Sequence, residues 1–267
     1  MKKILILAVV VLQSLCVLAQ KQDTSILDCY YRLTFQKDTI DNITAEDIMV
    51  LRLNRTKSIF FSESTYQLDS LMLSSQGNSI RMDILVNGSA KYDKGVVTYN
   101  VIKEQSNKTL TFADNVGGNH VLYQEPFPQF NWKLTNEKKK IMDHLCQKAT
   151  CKFRGRTYIA WFTTEIPLNN GPWKFNGLPG LIMEVYDTGK QYHFEFLYME
   201  RNKANISLLP RDYTKTTHEK YLKSLKNYIK DPVGYIAASS GMKISLTANA
   251  KAKMKAKGIR YNPMELY

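Results

Sequence analysis

Between Leu181 and Phe196 apolar and polar side chains alternate on both sides of a short break, Thr188-Gly189. A period of two sends every second side chain to the same face of a strand, so two such runs joined by a tight turn specify an antiparallel hairpin. With Thr188-Gly189 as a two-residue loop, Asp187 opposes Lys190, Val185 opposes Tyr192, Met183 opposes Phe194 and Leu181 opposes Phe196. One face is then wholly apolar, and a slip of one residue would set apolar against polar groups throughout. The other face carries Ile182, Glu184 and Tyr186 across from Glu195, His193 and Gln191, with Glu184 facing His193 and Glu195 diagonal to Glu184. A histidine with two carboxylates is the raw material of a metal site or an acid–base pair. It is equally what a solvated sheet face looks like, where a cross-strand charge pair contributes only ~0.2–1 kcal/mol.

The same alternation recurs along the chain. Tyr31, Leu33 and Phe35 share one side of a run, and Asp47–Leu53 and Ser58–Ser62 flank a hairpin break at Asn54-Arg55-Thr56-Lys57. Val96–Ile102, Thr109–Phe112, His120–Tyr123 and Phe130–Leu134 read as further short strands, and Tyr66–Ser74 has a helical pattern. Near the C-terminus the period changes. Thr216-Thr217-His218-Glu219 predicts a capping box, followed at helical spacing by Tyr221, Leu222, Leu225, Tyr228 and Ile229, with Asp231-Pro232 as the stop. Lys220, Lys223, Lys226 and Lys230 fall on the outer side, and a second helix is predicted around Thr247–Lys257. The expected fold is α+β: an antiparallel meander, curved sheet or open barrel with two C-terminal helices.

The first nineteen residues predict export. Lys2 and Lys3 precede an apolar run from Ile4, Val17-Leu18-Ala19 offers a small-residue cleavage site, and Gln20 onward is polar. The run is short for a membrane span, and Leu15 before Cys16 argues against lipidation. The expected organisation is therefore a signal peptide over 1–19 and one domain over 20–267, with no later transmembrane segment. Export makes nucleic acid a poor partner. The formal net charge is +13, and Lys203–Tyr267 alone holds thirteen Lys or Arg against four Asp or Glu. Such a segment attracts anionic envelope surfaces or an acidic envelope protein; it also serves simply as a solvated face. Cys29, Cys146 and Cys151 form an odd set after cleavage, so at least one thiol stays free or pairs between molecules. His144, Cys146 and Cys151 match no standard zinc spacing, and a buried thiol beside a surface histidine is the expected arrangement.

The most individual stretch is Gly171-Pro172-Trp173-Lys174-Phe175-Asn176-Gly177-Leu178-Pro179-Gly180-Leu181-Ile182. Its glycines and proline predict a tight, rigid entry into a strand rather than a phosphate loop, which would lead into a helix. Further strings are Phe153-Arg154-Gly155-Arg156, Ala160-Trp161-Phe162-Thr163, Ile166-Pro167 and the terminal Asn262-Pro263-Met264-Glu265-Leu266. With these strings the chain resembles the GLPGLI family, named for Gly177–Ile182. The resemblance implies a signal-bearing envelope protein of Bacteroidota-type bacteria, periplasmic or associated with the outer membrane, and transfers no activity, cofactor or catalytic residue.

No nucleophile elbow, metalloprotease helix or dinucleotide fingerprint is present in the sequence, and no cofactor is implied. The leading expectation is a non-catalytic binding or accessory protein of the cell envelope. The alternative is a metal-dependent envelope hydrolase using Glu184, His193 and Glu195. An apolar cavity on the sheet favours the first; polar groups converging in a cleft favour the second.

Overall fold

A computed structural model describes residues 23–38, 42–87, 92–93, 95–241 and 262–266. The predicted signal peptide and the helix predicted at 247–257 lie outside the described residues. Twelve strands and four helices are found among the described residues. The strands are β1 (Leu27–Asp38), β2 (Ile43–Leu53), β3 (Lys57–Ser62), β4 (Asn100–Glu104), β5 (Thr109–Val116) and β6 (Asn119–Pro126), then β7 (Lys133–Ile141), β8 (His144–Phe153), β9 (Arg156–Thr163), β10 (Leu181–Asp187), β11 (Tyr192–Glu200) and β12 (Thr214–Lys215). The helices are α1 (Glu63–Leu73), α2 (Gly77–Asn87), α3 (His218–Lys230) and α4 (Pro232–Ser240).

All strands join one open sheet in the order β12-β6-β5-β4-β3-β2-β1-β11-β10-β9-β8-β7. It is two antiparallel meanders, β1–β6 and β7–β11, zipped together by β1 against β11 from Asp28↔Glu200 to Phe35↔Tyr192. Only the short β12 runs parallel to its neighbour, β6. The expected mixed, mainly antiparallel architecture with two helices after the sheet is therefore present, although the second of them starts at Pro232, where the sequence predicted a stop. Pro232 fits there because the first turn of a helix has no use for its missing N–H, and the Asp231 side chain caps the Gly234 amide.

The period-two pattern decides which side of the sheet holds the main core. Cys29, Tyr31 and Leu33 of β1 join Met49 and Leu51 of β2, Phe60 of β3, and Phe194 and Phe196 of β11 in one large apolar cluster. Helix α3 covers part of that face through Tyr221, Leu222, Leu225 and Tyr228. The opposite face has a smaller cluster around Tyr30, Val50, Ile59, Phe61 and Ile206, onto which Tyr66 of α1 packs.

The β10–β11 hairpin departs from the predicted register. Val185 pairs with Phe194, Glu184 with Glu195 and Tyr186 with His193. The slip is two residues, so Glu184, Val185 and Tyr186 keep their predicted faces while their partners change; a bulge between Ile182 and Glu184 carries Ile182, predicted beside Glu184, into the main core. The cause is the turn: the strands end at Asp187 and Tyr192, and the longer loop between them is capped by Asp187 Oδ1, which accepts from the amides of Gln191 and Tyr192 at 2.8 and 2.7 Å. Lys190, at φ 52°, supplies the left-handed residue that closes this loop. A second correction concerns α3. Its N-cap is Thr217, whose hydroxyl accepts from the Lys220 amide, whereas the Thr216 amide is taken by Leu122 O beyond the β12–β6 pairing. The Thr216–Glu219 capping box does not form.

Candidate functional site

The glycine string folds as an anchored turn that presses three large side chains into the core. Trp173, Lys174 and Phe175 are all buried, and Trp173 reaches this position with φ 48°. Lys103, fully buried on β4, donates to Gly171 O at 2.7 Å and Phe175 O at 3.0 Å and so ties both ends of the turn. Burial without a carboxylate partner holds the Lys103 amine well below its ordinary pKa. The Gly177 amide donates to Asn169 Oδ1, and Trp132 Nε1 donates to Asn176 O. The string then enters β10, as the strand-entry reading required.

Lys174 is the functional-type residue that sequence reasoning passed over. Its ammonium lies 3.0 Å from Tyr123 Oη, 2.7 Å from Glu125 and 2.8 Å from Glu265. Arg154 closes the ring by pairing with both glutamates, and His218 Nε2 stands 3.0 Å from the other oxygen of Glu265. Burial alone would raise the Glu265 carboxyl; the His218 hydrogen bond and the Lys174 and Arg154 charges outweigh it and bring the pKa to about 2. Beside this ring, Arg156 pairs with Asp187 at 3.1 Å and donates to Asn262 Oδ1 and Pro263 O, while Tyr158 Oη donates to Met264 O. Residues from three strings distant in sequence, Arg154–Arg156, Lys174 and Asn262–Glu265, thus meet at one place. The available signal was a lysine set between Trp173 and Phe175: a charge in so apolar a run needs partners when it is buried.

The ion cluster forms one end of a cleft of about 320 Å³ between the main core face, α3 and the 263–265 segment. Leu33, Phe35, Tyr99 and Phe112 line it from the sheet side, and Tyr221, Leu222, Leu225 and Tyr228 from α3. Phe112 is stacked with Tyr99 and with Tyr123 at centroid distances of 5.4 and 5.1 Å, so the sheet wall is an aromatic platform. Asp114 at the wall is buried and accepts from Thr98, Tyr221 and the Asn115 amide; burial nevertheless holds its carboxyl above its ordinary value. Val97, Thr98 and Tyr99 also border a smaller polar chamber of about 80 Å³, where Arg211 pairs with Asp69 at 3.1 Å and lies 3.0 Å from His120 Nε2.

The residues singled out as a metal alternative lie away from this cleft. Glu184 meets His193 Nε2 at 2.8 Å, diagonally across the corrected register, and its other oxygen is taken by Lys139. Glu195 stands 3.9 Å from His193 Nδ1 and is the more exposed carboxylate. Burial opposes ionisation of Glu184, but the hydrogen bonds from His193 and Lys139 hold its carboxyl below the usual range. Among the described residues no three His, Cys, Asp or Glu side chains are grouped to hold a metal ion. This geometry is that of a partly solvated ion-pair chain, and His193→Ala is expected to change unfolding free energy by less than about 1 kcal/mol in urea titrations. A larger loss, or a zinc-dependent rise in melting temperature of the wild type that the variant lacks, would refute it. Among the described residues Cys29, Cys146 and Cys151 are free and buried; desolvation raises the thiols of Cys146 to about 11 and Cys151 to about 12, away from the thiolate form that metals and oxidants need. His144 instead pairs with Glu165 at 2.7 Å.

Residues 153–184 match the profile of a family described as a protein of unknown function (Porph_ging), a span that holds Arg154, Arg156, Lys174 and the glycine string. No curated protein matches the chain in sequence. Among solved structures, PNGF-II in space groups P21 and C2 superposes with TM-scores of 0.52 and 0.51, each at 14% identity over 77% of this chain. The match takes in 34% and 33% of PNGF-II, so this chain spans about a third of that protein's length and the likeness is one of fold. A LolA superfamily protein from Nitrosomonas europaea aligns over 71% of this chain and 89% of its own at 10% identity, with a TM-score of 0.25, too low to establish a shared fold. The profile match places Arg154, Arg156 and Lys174 within a sequence pattern of unknown function, whereas their partners Glu125, His218 and Glu265 lie outside it.

Proposed function

We propose that this chain is an exported cell-envelope binding protein of the GLPGLI type, periplasmic or outer-membrane-associated, that holds a neutral apolar ligand between its sheet and α3. The observation that carries the reading is the cleft itself: about 320 Å³, lined mostly by apolar and aromatic residues. That volume falls within the ~300–1,000 Å³ of small-molecule sites. The charges at its end are mutually paired, Lys174 and Arg154 against Glu125 and Glu265, and the wall carboxyl Asp114 already accepts three hydrogen bonds. Removing apolar surface from water then supplies the driving force, at roughly 25 cal/mol per Å² buried. A metal-dependent hydrolase built on Glu184, His193 and Glu195 would need Lys139 to leave Glu184, whereas the cleft needs no rearrangement.

The test uses N-phenylnaphthylamine, a neutral fluorophore that brightens in apolar surroundings. The wild type is expected to bind it saturably at one site. Leu225→Glu, which places a charge on the α3 wall at a half-buried position, is expected to weaken binding at least tenfold while melting close to the wild type. Absence of saturable binding by the wild type, or undiminished binding by a folded Leu225→Glu protein, would overturn the reading.

A further inference from the structure

Helix α3 does two things at once. Its inner side, Tyr221, Leu222, Leu225 and Tyr228, packs on the core and walls the cleft. At about 100° per residue, Lys220, Lys223, Lys226 and Lys230 fall in a row about 120° wide on the opposite side. All four are exposed, and none of their ammonium groups has an ion-pair partner among the described residues. Lys215, exposed on β12, precedes the row; Glu219 stands in the first turn, where it complements the positive end of the helix, and Asp231, which caps α4, follows Lys230. The row spans about 15 Å at 1.5 Å per residue.

We propose that this row docks the protein on an anionic lipid bilayer, with α3 lying along the headgroups. The chemistry of the row favours lipid over an acidic protein. Lysine ammonium groups are flexible point charges without the planar fork that fixes arginine to one carboxylate, so a band of them along one side of a helix matches a fluid field of negative headgroups. Such attraction acts within a Debye length, ~10 Å at 0.1 M salt, and needs no burial of apolar surface. The inner side of α3 is already committed to the core, so the contact is peripheral rather than inserted. Docking does not require the cleft to bind anything. If the cleft does take an apolar ligand, the bilayer lies one helix diameter, ~10 Å, from its wall.

The test is sedimentation with vesicles of phosphatidylglycerol and phosphatidylethanolamine, against vesicles of phosphatidylcholine alone. The wild type is expected to sediment with the anionic vesicles only, and to be released as salt rises from about 50 to 500 mM. Lys220→Glu/Lys223→Glu/Lys226→Glu is expected to lower partitioning at least tenfold. A control, Lys133→Glu/Lys138→Glu/Lys140→Glu on the free edge strand β7, changes the net charge equally and is expected to keep most of the binding. Thermal melts and N-phenylnaphthylamine titration of both variants show that fold and cleft are intact, so a failed cleft and a failed docking surface are read separately. Equal losses in the two triple variants would overturn the proposal, since net charge and not α3 would then be responsible. So would binding to neutral vesicles, or capture on dextran sulfate without any on the anionic vesicles.

Discussion

Gly180→Val is expected to abolish cooperative folding. Gly180 stands at φ 151°, and a Cβ built there would lie 2.0 Å from Thr163 O and 2.7 Å from Thr163 C. Those are backbone atoms at the end of β9, where Leu181 pairs with Thr163. Relief would require β9 and β10 to separate at the point where the glycine string enters the sheet. A loss of at least ~4 kcal/mol is expected, beyond the range of ordinary substitutions. Gly118→Ala is the control. Gly118 has φ 92° with nothing within 4 Å of the point where a methyl group would stand, so only backbone strain of about 1 kcal/mol should appear. Urea titrations followed by far-UV circular dichroism compare the two; equal losses would show that the close approach at Thr163 does not matter.

Lys174→Met is the second large effect. Its side chain is 1% exposed, and its removal leaves Glu125 and Glu265 to share Arg154. Breaking a buried ion network by deleting one partner costs about 3–5 kcal/mol, because the remaining charges stay desolvated. The same network predicts a pH dependence. The Glu265 pKa is depressed from 4.5 to about 2, so its contribution is fully present above the unfolded value and is lost as pH falls through the folded one. The wild type should therefore lose on the order of 3 kcal/mol between about pH 4.5 and pH 2. In Lys174→Met the Glu265 carboxyl loses a cation and its pKa rises towards the unfolded value, so the acid loss should be smaller and complete at higher pH. Unfolding free energies at pH 7, 4 and 3 check both statements. An unchanged value at pH 7 together with an unchanged acid profile would mean that Lys174 carries no stability.

The hairpin at Thr188-Gly189 shows how far local pattern reaches. Parity placed Val185 and Phe194 on the core side and Glu184, His193 and Glu195 on the polar side, because a period of two survives any even slip. It did not fix the partners. Asp187 Oδ1, by accepting two amides in the loop, traded the two-residue turn for a longer one, and His193 came to face Tyr186 instead of Glu184. Helix α3 gives the same lesson on a smaller scale: its spacing was legible, but the choice between Thr216 and Thr217 as cap depended on Leu122 claiming the Thr216 amide from another strand. Helix α2 had no periodic signal to read, since its apolar residues do not gather on one side.

By itself the sequence determined what depends on neighbours along the chain: alternation of faces, the break at Asn54–Lys57 and the amphipathic character of 218–230. Those follow from backbone sterics and from the two periodicities, which act over a few residues. Only the tertiary structure decided which charges became buried together. Arg154, Lys174 and Glu265 stand in separate strings, and nothing in their spacing says that β8 to β10 and the 262–266 segment converge. Lys174 is buried because Trp173 and Phe175 on either side draw the turn into the core, and it tolerates burial because Glu125 and Glu265 are brought to it from 49 and 91 positions away.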